Sequence, residues 1–240
     1  MATRVFFVAI GGATCSGKTT TAKHLARIIP SALLLLQDDF APPAERVPVD
    51  PRYGWQDWDD PEGAIEWDRQ RSTIREIREK GEMPESYQSH DHLNEQVPVP
   101  IAEETERKWR SRFKKLLRTD SEGEKTTIVI AEGFLMLVDP ESVRNFDLRF
   151  FIREDYATLK KRRHERHGYD KCVWPAYLKA HRPLFVNGDV EAGPIDSTAI
   201  EGVELFEAKE LSMDAIVDQA CARIYDAVKG GQTRERWTKP

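Results

Sequence analysis

The stretch VFFVAIGGATCSGKTTTAKHLA, residues 5 to 26, constrains this chain more than any other. An apolar, partly β-branched run passes directly into a glycine-rich segment and then into a helical pattern. Gly12, four residues, then Gly17, Lys18 and Thr19 fit G-x-x-x-x-G-K-[ST], and fit it where the pattern has physical meaning, between a strand and a helix. Small residues let backbone N–H groups turn inward around phosphate oxygens, and the helix beginning near Gly17 adds its positive dipole end. Gly12, Ala13, Thr14, Cys15, Ser16, Gly17, Lys18, Thr19 and Thr20 are therefore candidate ligands of nucleotide phosphates. Lys18 would reach the β- and γ-phosphates as a point charge, and the Thr19 hydroxyl would ligate Mg²⁺. Cys15 reads as a small filler within the loop.

The rest of the chain continues the alternation. Residues 32 to 37 form a second strand, and helical signals run from Asp60, with Pro61 at the first position, to a stop at Gly81. Trp109, Phe113, Leu116 and Leu117 lie on one face of a charged helix. TTIVIAEGFLML (126 to 137) and LRFFIR (148 to 153) read as buried strands, 155 to 167 as a basic helix, and 173 to 182 as another helix. A short strand near 200 to 206 precedes a last helix that stops at Gly230. Strands alternating with helices predict an α/β fold, a parallel sheet sandwiched by helices. The predicted organisation is one domain over residues 1 to 230, with an insertion at about 82 to 125, a lid at about 155 to 172 and a frayed tail from 231.

Composition narrows the function classes. A net charge of −5 argues against broad nucleic-acid binding. Three widely spaced cysteines, Cys15, Cys172 and Cys221, form neither a disulfide framework nor a metal-ligand spacing, which implies a reducing, cytoplasmic setting. No run approaches the ~20 apolar residues of a membrane span, and VFFVAI, only six residues long, reads as a strand rather than a signal segment.

A phosphate loop does not by itself name the phosphate's destination. In parallel sheets the deciding groups stand at the carboxyl ends of strands. The second strand ends in QDDF, which puts Asp38 and Asp39 at such an end, where a carboxylate can orient a hydroxyl and accept its proton. Glu132, ending the apolar run IVIAE, suits Mg²⁺ or its waters. KKRRHERH, residues 160 to 167, sets Arg162 and Arg166 one turn apart with Arg163 beside them, a cluster able to close over a transferring phosphoryl group.

GGATCSGKTT, LLLQDDF, DWDDPEG, IAEGFL, KKRRHER and GYDKCVWPAYLK occur in the order seen in nicotinamide riboside kinases, members of the uridine kinase-like group of P-loop kinases, and over most of its length the chain resembles that family. The resemblance implies a P-loop kinase fold with a lid helix and an inserted helical segment. It also implies ATP as co-substrate, Mg²⁺ as cofactor and a nucleoside acceptor, with no nucleic-acid or membrane partner. By the same resemblance Lys18, Asp38 and Arg163 are catalytic, Asp38 being the general base for the ribose 5′-hydroxyl. Thr19, Asp38 and Glu132 would form the metal environment. Asp39 and Phe40 would border the substrate, Asp59 would hold the ribose hydroxyls, and Trp58 would form an aromatic wall against the nicotinamide ring. Arg162 and Arg163 would contact ribose or the transferring phosphate, and Arg166 the ATP phosphates. Residues 207 to 212 are where related kinases border adenine.

The chemistry agrees, because a pyridinium cation suits an aromatic face beside Asp57, Asp59 and Asp60 better than neutral uracil does. Two stretches depart from the family pattern. The segment at 82 to 125 is longer and more charged, open between a lid, a dimer contact and a passive insertion. The stretch between Arg166 and VWP is shorter, which leaves Tyr169 as the candidate second aromatic wall. His90 and His92 read as loop histidines. A uridine/cytidine or pantothenate-type kinase is the alternative acceptor class, and a slowly hydrolysing nucleotide switch the alternative mechanism. Neither monomer nor homodimer is fixed by the sequence.

Overall fold

The computed structural model describes residues 3–51, 54, 56–93, 96–118, 125–167 and 173–231. Among these residues five strands form one sheet: β1 (Thr3–Gly12), β2 (Leu33–Leu36), β3 (Lys125–Glu132), β4 (Leu148–Arg153) and β5 (Val203–Glu207). Their order is β2-β3-β1-β4-β5, and every pairing is parallel. Among the described residues, seven α-helices connect and cover them: α1 (Lys18–Ile28), α2 (Trp67–Lys80), α3 (Glu103–Leu116), α4 (Pro140–Val143), α5 (Tyr156–His167), α6 (Val173–His181) and α7 (Met213–Lys229).

The apolar run of β1 is continuous because both faces of the sheet are covered. Val5, Phe7 and Ala9 face one layer, with Ile74 and Ile77 of α2 and Tyr177 and Ala180 of α6. Phe6, Val8 and Ile10 face the other, with Leu25 and Ile28 of α1, Trp109 and Phe113 of α3, and Ile216, Val217 and Ile224 of α7. Successive strand side chains alternate between faces, so one hexapeptide feeds two cores.

The larger departures from the sequence reading are two element boundaries and one added helix. The second helix begins at Trp67, not at Asp60. Asp60 to Ala64 closes a single turn, Ala64 N–H donating to the Asp60 carbonyl, but the Glu66 N–H goes to the carbonyl of Phe40 and interrupts the ladder. β3 ends at Glu132 rather than continuing to 137, because the Leu135 N–H is claimed by the Gln37 side chain. Leu135, Met136 and Leu137 are buried in a turn instead. The short helix α4, capped by Asp139 accepting from Ser142 N–H, carries no periodic signal in the sequence.

The segment at 82 to 125 contributes a layer of the fold. Trp109 donates its indole N–H to Asp218 of α7, the Ala102 N–H and Thr105 hydroxyl donate to Asp214, and Trp109 and Phe113 are buried. Among the described residues no helix is long and apolar enough to cross a membrane.

Candidate active site

The site stands at the carboxyl ends of β1, β2 and β3, where a parallel sheet leaves a crevice. The chain leaves β1 through Gly12, whose φ is +137° and whose missing side chain would meet the Ile152 carbonyl at 2.2 Å, so only glycine fits. The loop then turns, Ser16 N–H donating to the Ala13 carbonyl, and α1 starts at Lys18. Lys18 is buried and its ammonium donates to the Ala13 carbonyl at 2.8 Å, so the charge lies across the loop.

β2 ends in a 3-10 turn, Gln37–Phe40, whose residues divide by role. Asp38 lines a cleft with Thr14, Cys15, Lys18, Thr19, Leu36, Gln96, Glu132 and Phe134. Gln37 is fully buried: its amide accepts from Leu135 N–H at 2.7 Å and donates to Gln70, which donates to the Ser142 hydroxyl. Gly133 makes this possible, since a side chain there would meet the Gln37 Cβ at 2.2 Å. Asp39 is buried and held by the Tyr87 hydroxyl and, at 2.7 Å, by the His90 N–H. Phe40 is a core residue, with the Arg69 guanidinium 5.0 Å from its ring centre and Tyr87 beside it. The turn thus fixes three side chains inside the protein and presents Asp38 to the cleft.

Glu132 is buried at the floor and accepts from the Thr19 hydroxyl at 3.0 Å. Burial pushes its carboxyl up to about 7, the charge of Asp38 adds to the shift, and Lys18 and the Thr19 hydroxyl oppose it. The helix α5 brings arginines from the opposite side. Arg163 donates to the Thr14 hydroxyl at 3.1 Å; Arg162 donates to the Cys15 carbonyl at 3.2 Å and pairs with buried Glu154 at 3.1 Å.

Lys18, Thr19, Asp38 and Glu132 therefore converge on one cleft, with Arg162 and Arg163 at its loop edge. Trp58 and Asp59 are not among the cleft-lining residues. They sit on a separate turn in which Asp57 accepts from the N–H groups of Asp59 and Asp60, and Trp58 is 40% exposed. Lys179 of α6 pairs with Asp60 at 3.2 Å and ties that turn to the VWPAYLK helix. Arg166 lies on α5, but its side chain, like Tyr169 and Cys172, is outside the described residues. Sequence reasoning missed Gln37 and Gln96. QDDF contained the first as a motif letter, and nothing in the local pattern marks the second.

No family model matches the chain. A nicotinamide riboside kinase of Saccharomyces cerevisiae is 30% identical over 222 residues, covering 85% of this chain and 88% of that protein. The chain belongs to the nicotinamide riboside kinase family. A nicotinamide riboside kinase of Schizosaccharomyces pombe is 28% identical over 95% of this chain and 100% of its own length, and human nicotinamide riboside kinase 1 is 26% identical over 92% and 98%. The unliganded structure of a sugar kinase from Janibacter sp. HTCC2649 aligns with TM-score 0.43 and 13% identity over 94% of this chain and 97% of that one, a likeness too slight to carry an argument. Membership of the nicotinamide riboside kinase family accords with the parallel sheet, the glycine-rich loop and the strand-end carboxylates.

Proposed function

We propose that this protein transfers the γ-phosphate of ATP to the 5′-hydroxyl of nicotinamide riboside. The observation that carries the reading is the presence of Asp38 in the same cleft as Lys18. A nucleotide switch needs no carboxylate beside the γ-phosphate position, whereas an alcohol acceptor needs one to orient its hydroxyl.

In this reaction the riboside oxygen attacks the γ-phosphorus, the bond to the bridging oxygen of ADP breaks, and the hydroxyl proton passes to Asp38. Lys18, Arg162 and Arg163 hold charge on the transferring group, so catalysis is mainly positioning and charge stabilisation. The Thr19 hydroxyl and the carboxylates of Glu132 and Asp38 form an all-oxygen donor set that fits Mg²⁺, a cation that keeps waters and takes phosphate oxygens. Burial is the main reason the Glu132 carboxyl is pushed up, and the charge of Asp38 adds to it; a cation held between the two carboxylates would offset that second effect. Mg²⁺ held there would neutralise phosphate charge. The acidic turn carrying Trp58 and Asp59 supports recognition of a pyridinium riboside: the indole offers a face to the cation and Asp59 a carboxylate to the ribose hydroxyls.

The test is ATP-dependent phosphorylation of nicotinamide riboside, nicotinic acid riboside, uridine, cytidine and pantothenate, followed as ADP release and product mass. Turnover of the pyridine ribosides is expected. Turnover confined to uridine, cytidine or pantothenate overturns the reading.

A further inference from the structure

The excursion after α2 crosses the protein as a strap. Tyr87 donates to the Asp39 carboxylate and accepts from the Leu36 N–H at the end of β2, and His90 N–H donates to the other Asp39 oxygen. Asp91 pairs with Lys23 of α1 at 2.8 Å. Farther on, His24 of α1 bonds the Val99 carbonyl at 2.8 Å, and the Ala102 N–H reaches Asp214 of α7. The strap is therefore pinned on both sides of Gln96, and Gln96 is its one residue, among those described, that lines the cleft with Asp38, Thr19 and Glu132.

The residue type matters at this point. Charge on the phosphate side is met by Lys18, Arg162 and Arg163, and the floor already holds two carboxylates, Asp38 and Glu132. The strap sequence carries Glu82, Glu85, Asp91 and Glu95, yet the position that meets the cleft is a neutral amide. An amide both donates and accepts, which suits an alcohol held between a carboxylate and a phosphoryl group. A carboxylate there would add a third negative charge to the floor.

We propose that Gln96 is a further substrate-binding residue, its side-chain amide hydrogen-bonding the acceptor nucleoside beside Asp38. This assignment rests on the kinase reading above. It gives the excursion after α2 a direct part in acceptor recognition, with Asp39, Tyr87 and His90 as the positioning residues that hold the strap in place.

The experiment compares wild type with Gln96→Ala and Gln96→Glu, measuring kcat and KM for nicotinamide riboside and for ATP separately, with Tm as a folding control. A neutral hydrogen bond to substrate corresponds to a change of roughly 3- to 10-fold. Gln96→Ala is expected to raise the riboside KM by that factor while the ATP KM stays within about twofold. Gln96→Glu keeps the shape and is expected to lower kcat/KM for the riboside by more than about tenfold. Riboside kinetics within about twofold of wild type in both variants, or a change confined to the ATP KM, overturns the proposal. Wild-type turnover tests the kinase reading independently, and if the wild type prefers another nucleoside the variants are read against that acceptor.

Discussion

The Thr19 hydroxyl donates to the Glu132 carboxylate at 3.0 Å and so joins the first turn of α1 to the end of β3. Glu132 titrates near 7 rather than in the ordinary carboxylate range because it is buried and close to Asp38. Between the two values the folded protein keeps a proton that the unfolded chain has lost, so this group's contribution to stability falls as pH rises toward 7. A bound cation must displace that proton below pH 7 and need not above it. Mg²⁺ with a non-hydrolysable ATP analogue should therefore raise Tm more at pH 8 than at pH 6, and Glu132→Gln should reduce that difference. An equal difference in the variant refutes the metal assignment.

Asp38→Asn keeps the shape of the side chain but cannot accept the hydroxyl proton. The expected loss in kcat is about 10²- to 10⁴-fold, with ATP affinity within a few-fold of wild type by equilibrium titration. Near-normal turnover removes Asp38 as the base.

Trp58 and Asp59 extend from a turn outside the phosphate cleft, and their proposed role concerns the acceptor alone. Trp58→Leu should raise the riboside KM by roughly 3- to 30-fold, the range of a cation–π contact, and Asp59→Ala should also raise it. Unchanged KM and kcat in both variants remove the turn from the binding site.

His181 lies buried between Phe151 and Tyr177, its Nδ1–H donating to the Tyr177 carbonyl at 2.8 Å. Burial lowers its pKa from 6.5 to about 4. Between these values the unfolded chain binds a proton that the folded protein refuses, so stability falls as pH drops through that window, by on the order of 3 kcal/mol in full. His181→Asn retains a donor for Tyr177 and should show a shallower fall in Tm from pH 7 to pH 5. A parallel pH profile contradicts the assignment.

Trp109 packs under α7 with its indole N–H on Asp218. Trp109→Ala should cost ~3–5 kcal/mol in denaturant unfolding, the range for loss of a buried aromatic. A loss below about 1 kcal/mol would show that α3 is a passive appendage rather than a layer of the core.

Much of this was legible in local pattern. The six apolar residues of β1, the glycine spacing after them and the amphipathic stripe of α7 each depend on neighbours in sequence, and each stands where the pattern placed it. Asp38 and Glu132 were legible for the same reason: a carboxylate that follows a buried strand in a parallel sheet emerges at the crevice. The start of α2 was not, because the Phe40 carbonyl that takes the Glu66 N–H comes from 26 positions away. Nor was the separation of Asp38 from Asp39, two identical side chains that Tyr87 and His90 send in different directions.

The sequence by itself determined the order of strands and helices, the phosphate loop and the residue types at the strand ends, since these follow from periodicity, backbone sterics and hydrophobic burial along the chain. Only the tertiary structure decided that α3 completes the core, that QDDF offers one acid and buries the rest, and that Gln96 reaches the cleft. Those outcomes rest on hydrogen bonds and packing between segments far apart in sequence, and no local pattern encodes which distant partner a side chain will meet.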